Sequence, residues 1–170
     1  DIDMVLTMYN VGEPDVFDFA KMVKEMYPQM PVVFLTSFSK EIYRQIQDRH
    51  CDAIDNIFCW HGNSDLIIAI IKLMEDKLNA ESDILEGGVQ AIMLAEDSFK
   101  FYSTYLPELY KIILFQNSEF IKDAYNEQHQ INRKRSRPKI LLATNFTDAV
   151  DTYNKYKNNL RCVITDVGMI

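Results

Sequence analysis

Runs of apolar and β-branched residues recur along this chain, and each but the last is followed by a stretch with helical periodicity. Asp3–Asn10 (DMVLTMYN), Pro31–Ser37 (PVVFLTS), Ala53–Trp60 (AIDNIFCW), Val89–Ala95, Lys139–Thr144 (KILLAT) and Arg161–Asp166 have the length and content of strands. Between them, Val16–Tyr27 places Phe17, Phe19, Ala20, Val23 and Met26 on one helical stripe, closed by Pro28 and Pro31. Ser39–His50 reads as a polar helix. Asp65–Leu78, with Ser64 as its cap, presents Leu66, Ile67, Ile70, Ile71, Met74 and Leu78. Ser98–Asn117 reads as a helix broken or kinked near Pro107. Ser118–Ile131 reads as another, capped by Ser118, and Thr147–Asn158 as a last one with Ala149, Val150 and Tyr153 inward. This alternation predicts parallel β-α units with right-handed crossovers, an α/β doubly wound fold. PVVFLTS is apolar throughout, as strands buried on both faces are.

Composition narrows the classes. A chain of 170 residues, 48% of them hydrophobic, suffices for one domain or two small ones with a real core. A net charge of −7 argues against general nucleic-acid binding, which needs a basic face. No apolar run reaches the roughly 18 residues of a membrane span. No signal peptide is visible, and a first residue of Asp rather than Met gives the chain the look of an excerpt. Cys51, Cys59 and Cys162, odd in number and beside apolar runs, read as buried reduced thiols of a cytoplasmic protein. They include no CxxC and so suggest no zinc site. Asn79–Gly88 (NAESDILEGG) is the clearest linker, acidic and ending in two glycines, and the strand–helix pattern restarts after it.

Carboxylates stand at two strand ends. Glu96 and Asp97 follow AIML-Ala95, and Asp166 ends RCVIT. If these strands lie side by side in parallel, the three acids converge where open α/β sheets bind ligands. A hard cation such as Mg²⁺ relieves the repulsion among such acids, and one carboxylate can then accept a phosphoryl group. Thr36 ends PVVFLT in the same way.

These residues resemble response-regulator receiver domains, flavodoxin-like folds of strand order 2-1-3-4-5. The resemblance divides the chain. Residues 1–79 look like the C-terminal half of a degenerate receiver, strands three to five. Residues 80–88 are the linker, and 89–170 look like the N-terminal half of a second receiver, strands one to three, with an extended helical insert. In the second half the resemblance makes Asp166 the phospho-acceptor and Glu96, Asp97, Asp166 and the Gly168 carbonyl the Mg²⁺ ligands. It makes Thr36 the phosphoryl contact if sites are shared. In the first half Met8, or Thr7 on a one-residue shift, stands where the acceptor aspartate belongs. Cys59, or Trp60, stands where the phosphate-binding lysine belongs, so this half looks phosphorylation-incompetent. The long stretch from Ser98 to Pro138, where one helix usually suffices, departs from the family. SFKFYSTYLPELYKIIL and RPKILLATNFTDAV are similar to tandem receiver-like regions at the N-terminus of Bacteroidetes-type relatives of phosphoenolpyruvate synthase and pyruvate phosphate dikinase.

The resemblance implies a non-enzymatic regulatory module of a bacterial multidomain protein. Its phosphodonor would be a histidine kinase or phosphotransfer protein, and it could form a homodimer. The competing reading is a pseudo-receiver that serves protein–protein contact or dimerisation and regulates an attached phosphoenolpyruvate-utilising enzyme. A phosphatase-type hydrolase would need a second acid two residues after the nucleophile, where Gly168 stands. The two halves could also complete one five-stranded sheet, leaving the strand of Asp166 surplus or swapped into a neighbouring chain.

Plainer readings stand beside these. Asp166 can end a strand and cap a turn. Glu96-Asp97-Ser98 can be a helix N-terminus, which favours acids. Thr36 and Ser37 can be strand-end or capping residues. His50, His61 and His129 share no spacing and read as surface residues. Arg133, Lys134, Arg135 and Arg137 read as a solvated basic turn. Tyr102, Tyr105 and Tyr110 read as core, with an interaction face as the alternative.

Overall fold

The computed structural model describes residues 2–8, 15–37, 44, 52–122, 137–166 and 168, with the side chains of 119–122 excepted. The chain divides into two compact units, residues 1–63 and 64–170. His50, Cys51, His129, Arg133, Lys134 and Arg135 lie outside the described residues, as does most of the helix expected at 39–50.

The first unit is a parallel sheet of order β1-β2-β3, formed by Val5–Met8, Val32–Thr36 and Asn56–Cys59. The all-apolar run takes the centre: every residue of β2 is buried. Helix α1, Val16–Met26, starts where the Asp15 carboxylate accepts from the backbone N–H of Phe17 at 3.0 Å and Asp18 at 2.9 Å. It buries Val16, Phe17, Ala20 and Val23, while Met26 is exposed, so its stripe lies nearer the N-terminus than expected. Phe17 meets Phe34 with ring centroids 6.3 Å apart. Lys24 pairs with Asp55 at 2.7 Å, and the same carboxylate accepts from Val32 N–H at 2.8 Å, tying the helix to the start of β2.

The second unit begins with α2, Asp65–Ala80, and a π-helical turn, Glu81–Glu86. It continues through β4 Ala91–Ala95, α3 Phe99–Lys122, β5 Lys139–Ala143, α4 Phe146–Tyr156 and β6 Leu160–Thr165. Its parallel sheet has the order β5-β4-β6. The most apolar strand is again central, whereas β6 is an edge strand with most side chains exposed. Ala149 of α4 packs on Met93, Ala95 and Ala143. Helix α2 packs on α3 and β5.

Several expectations change. The two halves do not merge into a five-stranded 2-1-3-4-5 sheet; each forms its own three-stranded sheet, because β4 finds partners on both edges within its own unit. The strand of Asp166 is therefore not surplus, since it pairs with β4 in its own unit. The presumed linker is helical to Glu86, and α2 falls with the second unit rather than the first. Gly87 and Gly88 do end it. A Cβ on Gly87 would lie 2.7 Å from the Asp83 carbonyl oxygen, and Gly88 has φ of 68°. Helix α3 runs unbroken through Pro107 and past Ser118, whose hydroxyl donates to Phe115 O at 2.7 Å instead of opening a new helix. Ser64 stands at the start of α2 without a side-chain capping bond. On α2, Ile71 and Leu78 are exposed, and on α4 so are Val150 and Tyr153, with Tyr156 buried instead. Cys59 is buried, but Cys162 on the edge strand is exposed.

The largest surprise is ionic. Arg137 is buried, not solvated, and grips Asp76, whose side chain is 0% exposed. Asp76 accepts from Arg137 Nη2 at 2.6 Å and Nη1 at 3.0 Å, from Tyr110 Oη at 2.9 Å and from Ile140 N–H at 3.0 Å. Lys139 Nζ lies 3.7 Å from Asp76 and 2.6 Å from Asp83. Burial works against the Arg137 charge, but the hydrogen bond and charge of Asp76 outweigh it and hold the guanidinium above its ordinary pKa. Burial, then the Asp76 charge, push the Tyr110 phenol far up. This network pins α2, α3 and the start of β5 together.

Candidate functional site

Register decides which acids meet. β4 pairs with β6 so that Ala95 lies opposite Thr165. The ladder continues one residue further: Asp166 N–H donates to Ala95 O at 3.3 Å, and on the other side Glu96 N–H donates to Ala143 O at 3.0 Å. Backbone hydrogen bonds thus set Glu96 and Asp166 at the carboxyl end of adjacent parallel strands, where ligands of such sheets bind.

The two carboxylates differ in setting. Glu96 is only 4% exposed. Its Oε1 accepts from Ser98 N–H at 3.1 Å, which fixes the turn into α3. Burial raises its pKa, the Ser98 bond opposes this, and the nearby charges of Asp166 and Asp97 raise it further. Asp97 and Asp166 are exposed. Gly168 lies beside Asp166, since a Cβ there would sit 3.7 Å from Asp166 Oδ2.

A cleft of about 400 Å³ opens at this point, lined by Leu94, Ala95, Glu96, Phe101, Tyr105, Ile164, Thr165 and Asp166. Phe101 and Tyr105 stack at 6.3 Å and 11° to form one wall. An acidic floor between aromatic and aliphatic walls can hold a cation or, with a cation bound, a phosphoryl group. A cation bound here would offset the burial of Glu96 and its repulsion from Asp166 and Asp97. Among the described residues, however, no three His, Cys, Asp or Glu side chains are already gathered as a metal cage.

The other residues singled out in the sequence lie elsewhere. Thr36 ends β2 in the first unit, buried, with its hydroxyl donating to Ser37 O at 3.1 Å. Every residue lining the cleft belongs to the second unit. Met8 ends β1 with an exposed side chain, and Cys59 ends β3 buried. Of the tyrosines, Tyr102 and Tyr110 are core, while Tyr105 is exposed in the cleft wall.

Sequence reasoning missed Asp76, although its spacing showed it. Leu66, Ala69, Ile70, Leu73 and Asp76 fall on one helical stripe, and only the charge of Asp76 argued it outward. It also missed Phe101 as a cleft residue. No family model, curated protein or solved structure matches the chain, so the receiver resemblance rests on these residues and the strand order alone.

Proposed function

We propose that the second unit is a receiver-like regulatory module of a bacterial multidomain protein, with Asp166 as its phospho-acceptor. The observation that carries this reading is the parallel β4–β6 register, which sets Asp166 beside Glu96 at the lip of one cleft. The strand order β5-β4-β6 supports it, being the order 2-1-3 of this unit's own strands. An exposed Asp166 carboxylate oxygen attacks the phosphorus of a phosphohistidine donor. A P–O bond forms, the P–N bond breaks, and imidazole leaves with a proton. Mg²⁺, held by Glu96, Asp97, Asp166 and the Gly168 carbonyl, would supply positive charge to the phosphoryl oxygens. The added charge at the sheet end is then read by a partner.

The test is incubation with acetyl phosphate and Mg²⁺, read by intact mass and peptide mapping. One phosphoryl group on Asp166, lost in Asp166→Asn and without Mg²⁺, is the expected result. No Mg²⁺-dependent gain in mass would end the phospho-acceptor reading.

A pseudo-receiver reading suits the first unit. Its strands end in Met8, which cannot accept a phosphoryl group, and in buried Cys59, which cannot pair with one. In this reading the first unit serves contact with other protein surfaces and regulates an attached phosphoenolpyruvate-utilising enzyme.

A further inference from the structure

The walls of the cleft at the end of β4 and β6 say more about its ligand than its acids do. Leu94, Ala95, Ile164, Phe101 and Tyr105 make most of its lining apolar or aromatic. Glu96 and Asp166 supply its charge, and among the described residues that line it there is no Lys, Arg or His. A metal ion engages oxygen ligands alone and leaves these walls without a role. A volume of about 400 Å³ is that of a small-molecule site.

Two observations point to the kind of molecule. Glu96 is 4% exposed, and its Oε1 accepts from Ser98 N–H at 3.1 Å. Its other oxygen, Oε2, has no hydrogen-bond partner among the described residues, yet it is not sealed from the cleft that Glu96 lines. A nearly buried carboxylate oxygen without a donor is costly, and a ligand N–H removes that cost. The second observation is the aromatic wall. Phe101 and Tyr105 lie 11° from parallel with centroids 6.3 Å apart. Ring faces attract ammonium groups, and Phe101 already does so: Lys100 Nζ stands over its ring, 5.8 Å from the centroid. Lys100 itself is not among the residues that line the cleft.

We infer that this cleft binds a small primary ammonium compound with an aromatic body. The ammonium donates to Glu96 Oε2, a charge-assisted bond, and Asp166 adds a second negative charge at the lip. The aromatic body packs along Phe101 and Tyr105 and against Leu94 and Ile164. A neutral ligand of the same shape forgoes the charge, and an anionic one meets two carboxylates. A lysine side chain carries the same ammonium on an aliphatic stem that cannot stack, so the walls favour the free aromatic amine. The binding does not depend on Asp166 accepting a phosphoryl group.

Titration of the isotope-labelled full chain with benzylamine, followed by amide NMR at neutral pH, tests it. Amides of 94–96, 101–105 and 164–166 should shift saturably, with a Kd of about 1 mM or below. Benzyl alcohol, and Nα-acetyl-lysine methylamide as a blocked lysine, should each bind at least about tenfold more weakly. Glu96→Gln keeps the side-chain shape and should weaken benzylamine about tenfold. Tyr105→Leu, at an exposed position, keeps an apolar wall without the ring and should weaken it about threefold. The dispersion of each variant's amide spectrum confirms that it is folded. No saturable shift up to about 20 mM overturns the proposal. So does equal binding of benzyl alcohol, which leaves only an apolar slot, or of the blocked lysine, which makes a protein side chain the occupant. Affinity unchanged in either variant overturns it as well. With Mg²⁺ and phosphodonor absent throughout, the outcome stands apart from the labelling of Asp166 by acetyl phosphate.

Discussion

Replacing Arg137 by Met should cost the second unit about 3 kcal/mol, and the structure shows where that figure comes from. Asp76 is wholly buried and accepts four hydrogen bonds, two from Arg137, at 2.6 and 3.0 Å, and one each from Tyr110 and Ile140 N–H. The substitution removes both guanidinium bonds and the main countercharge but little volume. Stripping one partner from a buried pair typically costs about 3–5 kcal/mol, because the other charge is left in a poor solvent. Lys139 remains 3.7 Å away, though it is shared with Asp83, and the other two bonds survive. Those remnants place the cost at the low end. For a unit of this size the loss lowers the melting temperature by about 12 °C. Adding Asp76→Asn to Arg137→Met removes the stranded charge and should recover about half the loss, since Asn still accepts from Ile140 N–H. Urea unfolding gives the free energies, and hydrogen exchange at the Ile140 amide reports the site directly. A cost of no more than about 1 kcal/mol, with Ile140 still protected, would refute the assignment of Asp76 as a buried ion held mainly by Arg137.

Glu96 should make the second unit less stable as pH rises. Its folded pKa lies above its unfolded value, so the folded state binds the proton more tightly. The associated stability is present at low pH and is lost as pH rises through the raised pKa. Glu96→Gln should therefore melt higher than wild type at pH 8, with the gap closing below the usual glutamate range in a series of thermal melts; a constant gap would refute a Glu96 pKa raised chiefly by burial. Gly88→Ala should cost roughly 1–2 kcal/mol in urea unfolding, since φ of 68° is strained for any residue with a Cβ. A fragment of residues 64–170 should give the dispersed amide spectrum of a folded domain, whereas 89–170 should not, because it lacks Asp76 and the buried Ile84.

Much of the fold was legible before any coordinates. PVVFLT and AIMLA are the most uniformly apolar runs, and they became the central strands of their sheets. Their neighbours were less legible, because parallel pairing joins residues far apart in the chain and a strand does not carry its partner's name. The expected five-stranded sheet failed on that point. Helix ends were misread where local chemistry was outweighed. Pro107 suggests a boundary, yet buried Leu106, Tyr110 and Ile113 carry α3 past it, and Ser118 donates within the helix instead of opening a new one. Arg137 looked like one more cation in a basic turn, since burial of an arginine is readable only once Asp76 is known to face it.

The candidate site divides along the same line. The sequence by itself determined that acids close two apolar strands, because Glu96-Asp97 directly follows AIMLA and Asp166 directly follows RCVIT. It also determined that the first half lacks an acid at Met8 and an amine at Cys59. Only the tertiary structure decided that β4 and β6 are neighbours in a register that brings Glu96 beside Asp166. Only it could show Phe101 and Tyr105 closing the cleft and Asp76 buried among cations. The physical reason is range. Strand and helix propensity act within a few residues, whereas register, burial and the field around a carboxylate are set by groups brought together from across the chain.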